Sequence, residues 1–137
     1  MSNPVTIFVE QLVEPAVFRL FEERGINLTQ VASRFRTYKQ GLAMEIDILA
    51  NNDNDVVAVE CKSRLSYDDV NDFISKLQRF KLAFPQYTNF NVFGAVAGIE
   101  INDGIDAYAE KRGLYVIKPS GDSVEIINAT TFQAIAW

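Results

Sequence analysis

The sequence predicts an α/β (α+β) domain: a mixed β-sheet with helices packed on its faces. Three observations carry this reading. Residues 5–21 repeat apolar side chains at three- and four-residue spacing, as an amphipathic helix does. Residues 44–48 alternate apolar and acidic side chains, as a half-buried strand does. Helical and strand-like runs then follow in the order α, three strands, α, strand, α, two short strands, which suits a layered mixed sheet.

The first helical segment, over 4–25, carries Val5, Phe8, Val9, Leu12, Val13, Ala16, Val17, Leu20 and Phe21 on its apolar stripe. Pro15 interrupts it. Proline cannot donate to the helical ladder, so the segment kinks or divides into two helices at Glu14–Pro15. Gly25 is the expected stop. Gln30–Tyr38 is the first strand, and Gln40-Gly41 marks a turn. On Met44–Ala50, Met44, Ile46 and Ile48 are expected on one face and Glu45 and Asp47 on the other. Residues 51–55, Asn-Asn-Asp-Asn-Asp, have loop chemistry. Val56–Ser63 is the third strand. Ser66 and Asp69 form a capping box that opens a helix running to about Phe84, with Val70, Phe73, Ile74 and Leu77 on its apolar stripe and Pro85 as its stop. Val92–Ile99 is a buried strand. A short helix starts at Asn102-Asp103-Gly104 and closes at Gly113. Tyr115–Lys118 and Val124–Ile127 flank a turn at Ser120-Gly121-Asp122.

The 137 residues suit a single domain, 1–137, with a core large enough to need no staples. The chain contains no histidine, which excludes Ser-His-Asp and Cys-His catalysis and His-based zinc sites. Its one cysteine, Cys61, excludes an internal disulfide and a Cys-rich zinc cluster. The cysteine reads as a small core filler. No run approaches the ~18 apolar residues of a membrane helix, so a cytoplasmic protein is expected. The net charge of -5 argues against a strongly basic nucleic-acid surface, although basic and acidic residues balance between 34 and 81.

The sharpest feature is Asp47, twelve intervening residues, then Glu60-Cys61-Lys62. A short loop makes the two strands an antiparallel hairpin, with Asn51 opposite Val56 and Asp47 opposite Glu60. Lys62 shares the face of Glu60, and Cys61 points the other way. Opposed carboxylates ~5 Å apart repel by about 3 kcal/mol at an effective dielectric of 20. One of them holds a proton, a cation binds, or Lys62 offsets the charge. A hard divalent cation, Mg²⁺ or Mn²⁺, answers best, because it takes oxygen ligands and can activate water against a phosphodiester. Lys62 beside it can orient that water or stabilise charge developing on phosphorus. Glu45 shares the acidic face and lines the rim.

Asp47…Glu60-Cys61-Lys62 on a hairpin between helices resembles the PD-(D/E)XK nuclease superfamily. The element order matches its restriction-endonuclease-like αβββαβ core, here followed by a short helix and a β-hairpin. From about Phe8 to Trp137 the chain is most similar to an uncharacterised prokaryotic nuclease-like family whose members often carry a coiled coil ahead of the domain. The matching stretches are residues 9–15 (Val-Glu-Gln-Leu-Val-Glu-Pro), 44–47 (Met-Glu-Ile-Asp), 59–65 (Val-Glu-Cys-Lys-Ser-Arg-Leu), Phe93–Gly98 and the terminal Trp137. Ile46 stands where the proline of the superfamily's name would be. Gln78 matches one half of a Gln-x-x-x-Tyr signature, but Leu82 holds the tyrosine position. The resemblance implies Asp47, Glu60 and the Cys61 carbonyl as metal ligands, Lys62 as the catalytic lysine, and Glu10 as a further acid on the first helix.

Arg64, Arg36, Lys76 and Arg79 are candidates for a nucleic-acid-binding rim, which Arg34 can extend. The expected function is metal-dependent hydrolysis of phosphodiester bonds in DNA, with RNA or a nucleotide as an open alternative. The rival is a nuclease-fold module that binds or oligomerises without catalysis, since fold does not settle function. The long apolar stripe of the first helix also leaves surface for a homodimer.

Overall fold

The computed structural model describes residues 4–137. Its core is one six-stranded sheet in chain order. The strands are β1 (Gln30–Thr37), β2 (Met44–Asn51), β3 (Asp55–Leu65), β4 (Asn91–Ile101), β5 (Tyr115–Ser120) and β6 (Ser123–Ile126). The first three strands form an antiparallel meander. β3 pairs parallel with β4, and β4 with β5, before β6 returns antiparallel. Parallel neighbours need a crossover. Helices α3 (Tyr67–Ala83) and α4 (Ile105–Lys111) supply the two crossovers. They lie on one face of the sheet, because both connections step the same way across it with the same hand.

The apolar stripe of α3, with Val70, Phe73, Ile74, Leu77 and Phe80, packs on Val56, Ala58 and Val96 on that face. The opposite face is covered by the N-terminal helices α1 (Pro4–Val13) and α2 (Val17–Glu22), whose Val9, Val13, Val17, Leu20 and Phe21 pack on Val57, Val59, Ala95 and Ala97. Alternate residues of β3 thus enter different cores, which explains its nearly continuous apolar first half. Pro15 divides the N-terminal segment as expected, through a short 3₁₀ turn at Glu14–Ala16. Val5 and Phe8, on the same apolar stripe, remain exposed.

Local signals set the other boundaries. Ser66 caps α3 by accepting from the Asp69 N–H at 3.1 Å, while the Asp69 carboxylate accepts from the Ser66 N–H at 3.0 Å. Gly94 lets β4 approach α3. A Cβ there would lie 2.5 Å from Leu77 Cδ1. Buried Asn128 holds the C-terminal segment, its Oδ1 accepting from the Val116 N–H at 2.7 Å and its Nδ2 donating to the Leu114 carbonyl at 3.2 Å. Among the described residues, no helix is long and apolar enough to cross a membrane.

Candidate active site at a fork in the sheet

The hairpin register is the one expected from the loop length. Pairing of β2 with β3 runs from Asn51↔Val56 to Ile48↔Val59. The next residues outward are Asp47 and Glu60. From there the strands part: β2 continues on β1 to Met44, and β3 continues on β4 to Leu65. Asp47 closes the base of the fork, its Oδ2 accepting from the Cys61 N–H at 2.8 Å. In a strand, the N–H and C=O of one residue point to the same side. The Cys61 carbonyl therefore also faces the gap, while its side chain enters the core against α1. Burial drives the Cys61 thiol pKa well upward, so the thiol is inert packing.

Asp47 also marks a break in strand alternation. Met44 and Ile46 pack under α3, but Ile48 and Ala50 pack under the N-terminal helices. The expectation that Met44, Ile46 and Ile48 share a face is therefore corrected. The cause lies on β1. Ser33 pairs with Ile48 and Phe35 with Ile46, which brackets Arg34 against Asp47. Arg34 has φ 53 and is the one non-glycine residue with positive φ among the described residues. Holding an arginine in this region costs roughly 1–3 kcal/mol. Both strands reset their alternation at this rung.

Around the fork stand three acids and three cations. Glu60 is buried, and its Oε2 accepts from Lys76 Nζ at 3.3 Å. Lys76 Nζ also donates to the Glu45 carbonyl oxygen at 3.1 Å, so one ammonium bridges both strands of the fork. Burial, a hydrogen bond with Asp47 and the Asp47 charge push the Glu60 pKa up to about 8, against the pull of Lys76 and Lys62. In this arrangement Glu60 carries a proton at neutral pH. Glu10, on α1, is buried and accepts at Oε2 from Arg34 Nε (3.3 Å) and Nη2 (3.2 Å). Its Oε1 is buried with no partner among the described residues. Burial and then the Asp47 charge raise the Glu10 pKa, against Arg34. Lys62 is looser. Its side chain is 40% exposed, and its Nζ stands 3.8 Å from Asp69 Oδ1.

The structure thus brings Asp47, Glu60, Lys62 and the Cys61 main chain to one place, with Glu10 reaching them electrostatically from the opposite layer. Lys76, expected at a DNA-facing rim, is instead bonded to Glu60. The other rim candidates have partners of their own. Arg36 Nε lies 3.0 Å from Glu45 Oε1, and Arg64 Nη2 lies 2.9 Å from Glu100 Oε2. Arg79 Nε donates to the Ser75 carbonyl at 3.2 Å. Sequence reasoning missed the bond of Lys76 to Glu60, although a signal existed. Lys76 follows Phe73 by three residues and precedes Phe80 by four, which places it on the flank of the apolar stripe, bordering the sheet.

Among the described residues, no three Asp, Glu, Cys or His side chains converge as a ready cation cage. The donor chemistry still fits a hard divalent ion. It consists of oxygen donors, two carboxyls of which Glu60 is kept protonated by burial and by its neighbour Asp47, and a buried Glu10 oxygen without a partner among the described residues.

This architecture is a nuclease-like fold, and three solved structures share it. A repair endonuclease from Pyrococcus abyssi aligns with a TM-score of 0.56 at 17% identity, covering 81% of this chain and 46% of its own. EndoMS in complex with double-stranded DNA aligns with a TM-score of 0.51 at 18% identity, covering 94% of this chain and 48% of its own. A protein of unknown function aligns with a TM-score of 0.53 at 15% identity, covering 87% of this chain and 62% of its own. The chain thus spans about half the length of the solved proteins it matches. No family model and no curated protein matches the sequence.

Proposed function

We propose that this chain is a metal-dependent nuclease of PD-(D/E)XK type that hydrolyses phosphodiester bonds, with DNA as the substrate. The observation that carries the reading is the meeting of Asp47 and Glu60 at the base of the fork, with Lys62 and Lys76 beside Glu60. The likeness to a repair endonuclease and to EndoMS bound to double-stranded DNA supports DNA as substrate.

Asp47, Glu60 and the Cys61 carbonyl would hold Mg²⁺ or Mn²⁺, with Glu10 as a further acid. When bound, such an ion polarises a phosphoryl oxygen and acidifies water. The chain's own residues do the rest. Glu60 would serve as a ligand in its carboxylate form, its proton passing to solvent, and Lys76 Nζ holds that carboxylate at Oε2. Asp47 stays fixed by the Cys61 N–H. The half-exposed Lys62 ammonium turns from Asp69 toward the phosphate and stabilises the charge that builds on its oxygens.

The test is cleavage of a panel of DNA and RNA substrates with Mg²⁺ or Mn²⁺, run beside Asp47→Ala, Glu60→Ala and Lys62→Ala. Loss of cleavage in all three variants supports the reading. Cleavage that survives in all three belongs to a contaminant and removes it. The second reading, a binding or oligomerisation module without catalysis, is favoured by the ion pairs that occupy Arg36 and Arg64. Titration calorimetry with Mn²⁺ separates the two, because only the nuclease loses heat of binding in Asp47→Ala and Glu60→Ala.

A further inference from the structure

Arg34 has features that the mechanism above does not use. Its φ of 53 is unfavourable for a side chain with no short polar group to hydrogen-bond its own backbone. The distortion has a visible result. Regular alternation would send Ser33 and Arg34 to opposite faces of β1. Instead both reach the N-terminal helical segment: Ser33 Oγ donates to Glu14 Oε2 at 2.7 Å, and Arg34 donates to Glu10 Oε2. The guanidinium is thereby delivered to the rung of Asp47.

Its bonding there is incomplete. Arg34 offers five N–H donors and directs Nε and Nη2 at a single carboxylate oxygen. Nη1 has no partner among the described residues, and the side chain is 38% exposed. Glu10 is buried, so withdrawing the guanidinium would strand its carboxylate, and the cation is tethered where it stands. A residue serving only to neutralise Glu10 would not need a strained backbone or an open, unused face. Strain of this kind gathers at ligand clamps. A planar, permanently charged fork with free donors suits a phosphate oxygen.

We propose that Arg34 binds a nonbridging oxygen of a backbone phosphate next to the scissile bond, held in place by Glu10. The inference rests on the nuclease reading and adds a substrate-binding residue to it.

The test is binding of a fluorescently labelled DNA duplex, followed by anisotropy in EDTA over a range of salt concentrations. The proteins are the parent chain, Arg34→Gly, Arg34→Lys and the double variant Arg34→Gly/Glu10→Gln. Glycine accepts the positive φ, and glutamine removes the charge that Arg34 would leave uncompensated, so the double variant keeps the test open if Arg34→Gly misfolds. Loss of Arg34 is expected to weaken binding about tenfold at low salt. It should also lower the slope of log K against log salt by about 0.9, the value of one phosphate contact. Arg34→Lys should restore the slope and only part of the affinity. A purely structural role leaves the slope unchanged. An unchanged slope in a folded glycine variant, beside a parent that binds and cleaves DNA, overturns this inference alone. A parent that neither binds nor cleaves DNA overturns the nuclease reading and this inference with it.

Discussion

Glu60→Gln should make the metal-free protein more stable in alkaline solution while removing its activity. The glutamine carboxamide mimics the protonated carboxyl. Its NH₂ can donate to Asp47, and its oxygen can accept from Lys76, so both contacts of Glu60 survive. The magnitude follows from linkage. The Glu60 pKa rises from 4.5 in the unfolded chain to about 8 in the fold. Below pH 4.5 the group is protonated in both states and costs nothing. Between pH 4.5 and 8 the unfolded chain loses the proton and the fold retains it, so stability falls as pH rises. The full loss, roughly 5 kcal/mol, is reached above pH 8. Parent and variant should therefore melt together near pH 4 and separate progressively, by 10 °C or more at pH 9. Circular dichroism melts in EDTA across this range provide the assay. Adding Mn²⁺ at a hundred times its Kd should return about 2.7 kcal/mol to the parent and nothing to the variant. A gap between the two proteins that does not change with pH would refute the shared-proton argument.

Asp47→Asn retains an acceptor for the Cys61 N–H, so it should fold normally yet lose Mn²⁺ heat in calorimetry and at least 100-fold in cleavage rate. Gly94→Ala should cost about 1–3 kcal/mol in urea denaturation, because the new methyl meets Leu77 Cδ1 at 2.5 Å and Leu114 Cδ2 at 2.9 Å inside a closed core. Ser66→Ala removes the acceptor for the Asp69 N–H and should cost about 1 kcal/mol by the same measurement, with cleavage unchanged. Lys76→Met should weaken Mn²⁺ binding in calorimetry, because nothing then fixes the Glu60 carboxylate. Lys62→Met should leave Mn²⁺ binding intact and lower kcat.

What was legible in the sequence was whatever a short stretch of chain decides. The loop at residues 51–55 is too short to permit more than one register that buries Val57 and Val59, so the approach of Asp47 to Glu60 could be counted from spacing. Pro15, Ser66 and Pro85 each act within one helical turn, and they set their boundaries where expected. The alternation break at Asp47 was not legible, because distortions of this kind are ordinarily announced by glycine and this one is carried by an arginine. The place of Lys76 depends on how α3 lies across the fork, sixteen residues after Glu60. That placement is fixed by the packing of Phe73 and Phe80 rather than by any local pattern. The ion pairs of Arg36 and Arg64 likewise join partners on neighbouring strands, which a list of charges along the chain does not reveal.

The irregular rung at Arg34 has a second effect, on self-association. β1 is an outermost strand of the sheet, and such a strand offers a row of open main-chain donors and acceptors on which another molecule can template itself. A flat, regular ribbon would be an invitation to stack into fibrils. Here the pairing with β2 skips the rung of Arg34, which has a positive φ, and guanidinium groups stand along the strand at Arg34 and Arg36, which spoils its fit to a regular partner. The distortion that aims a cation inward thus also guards the open border of the sheet against aggregation.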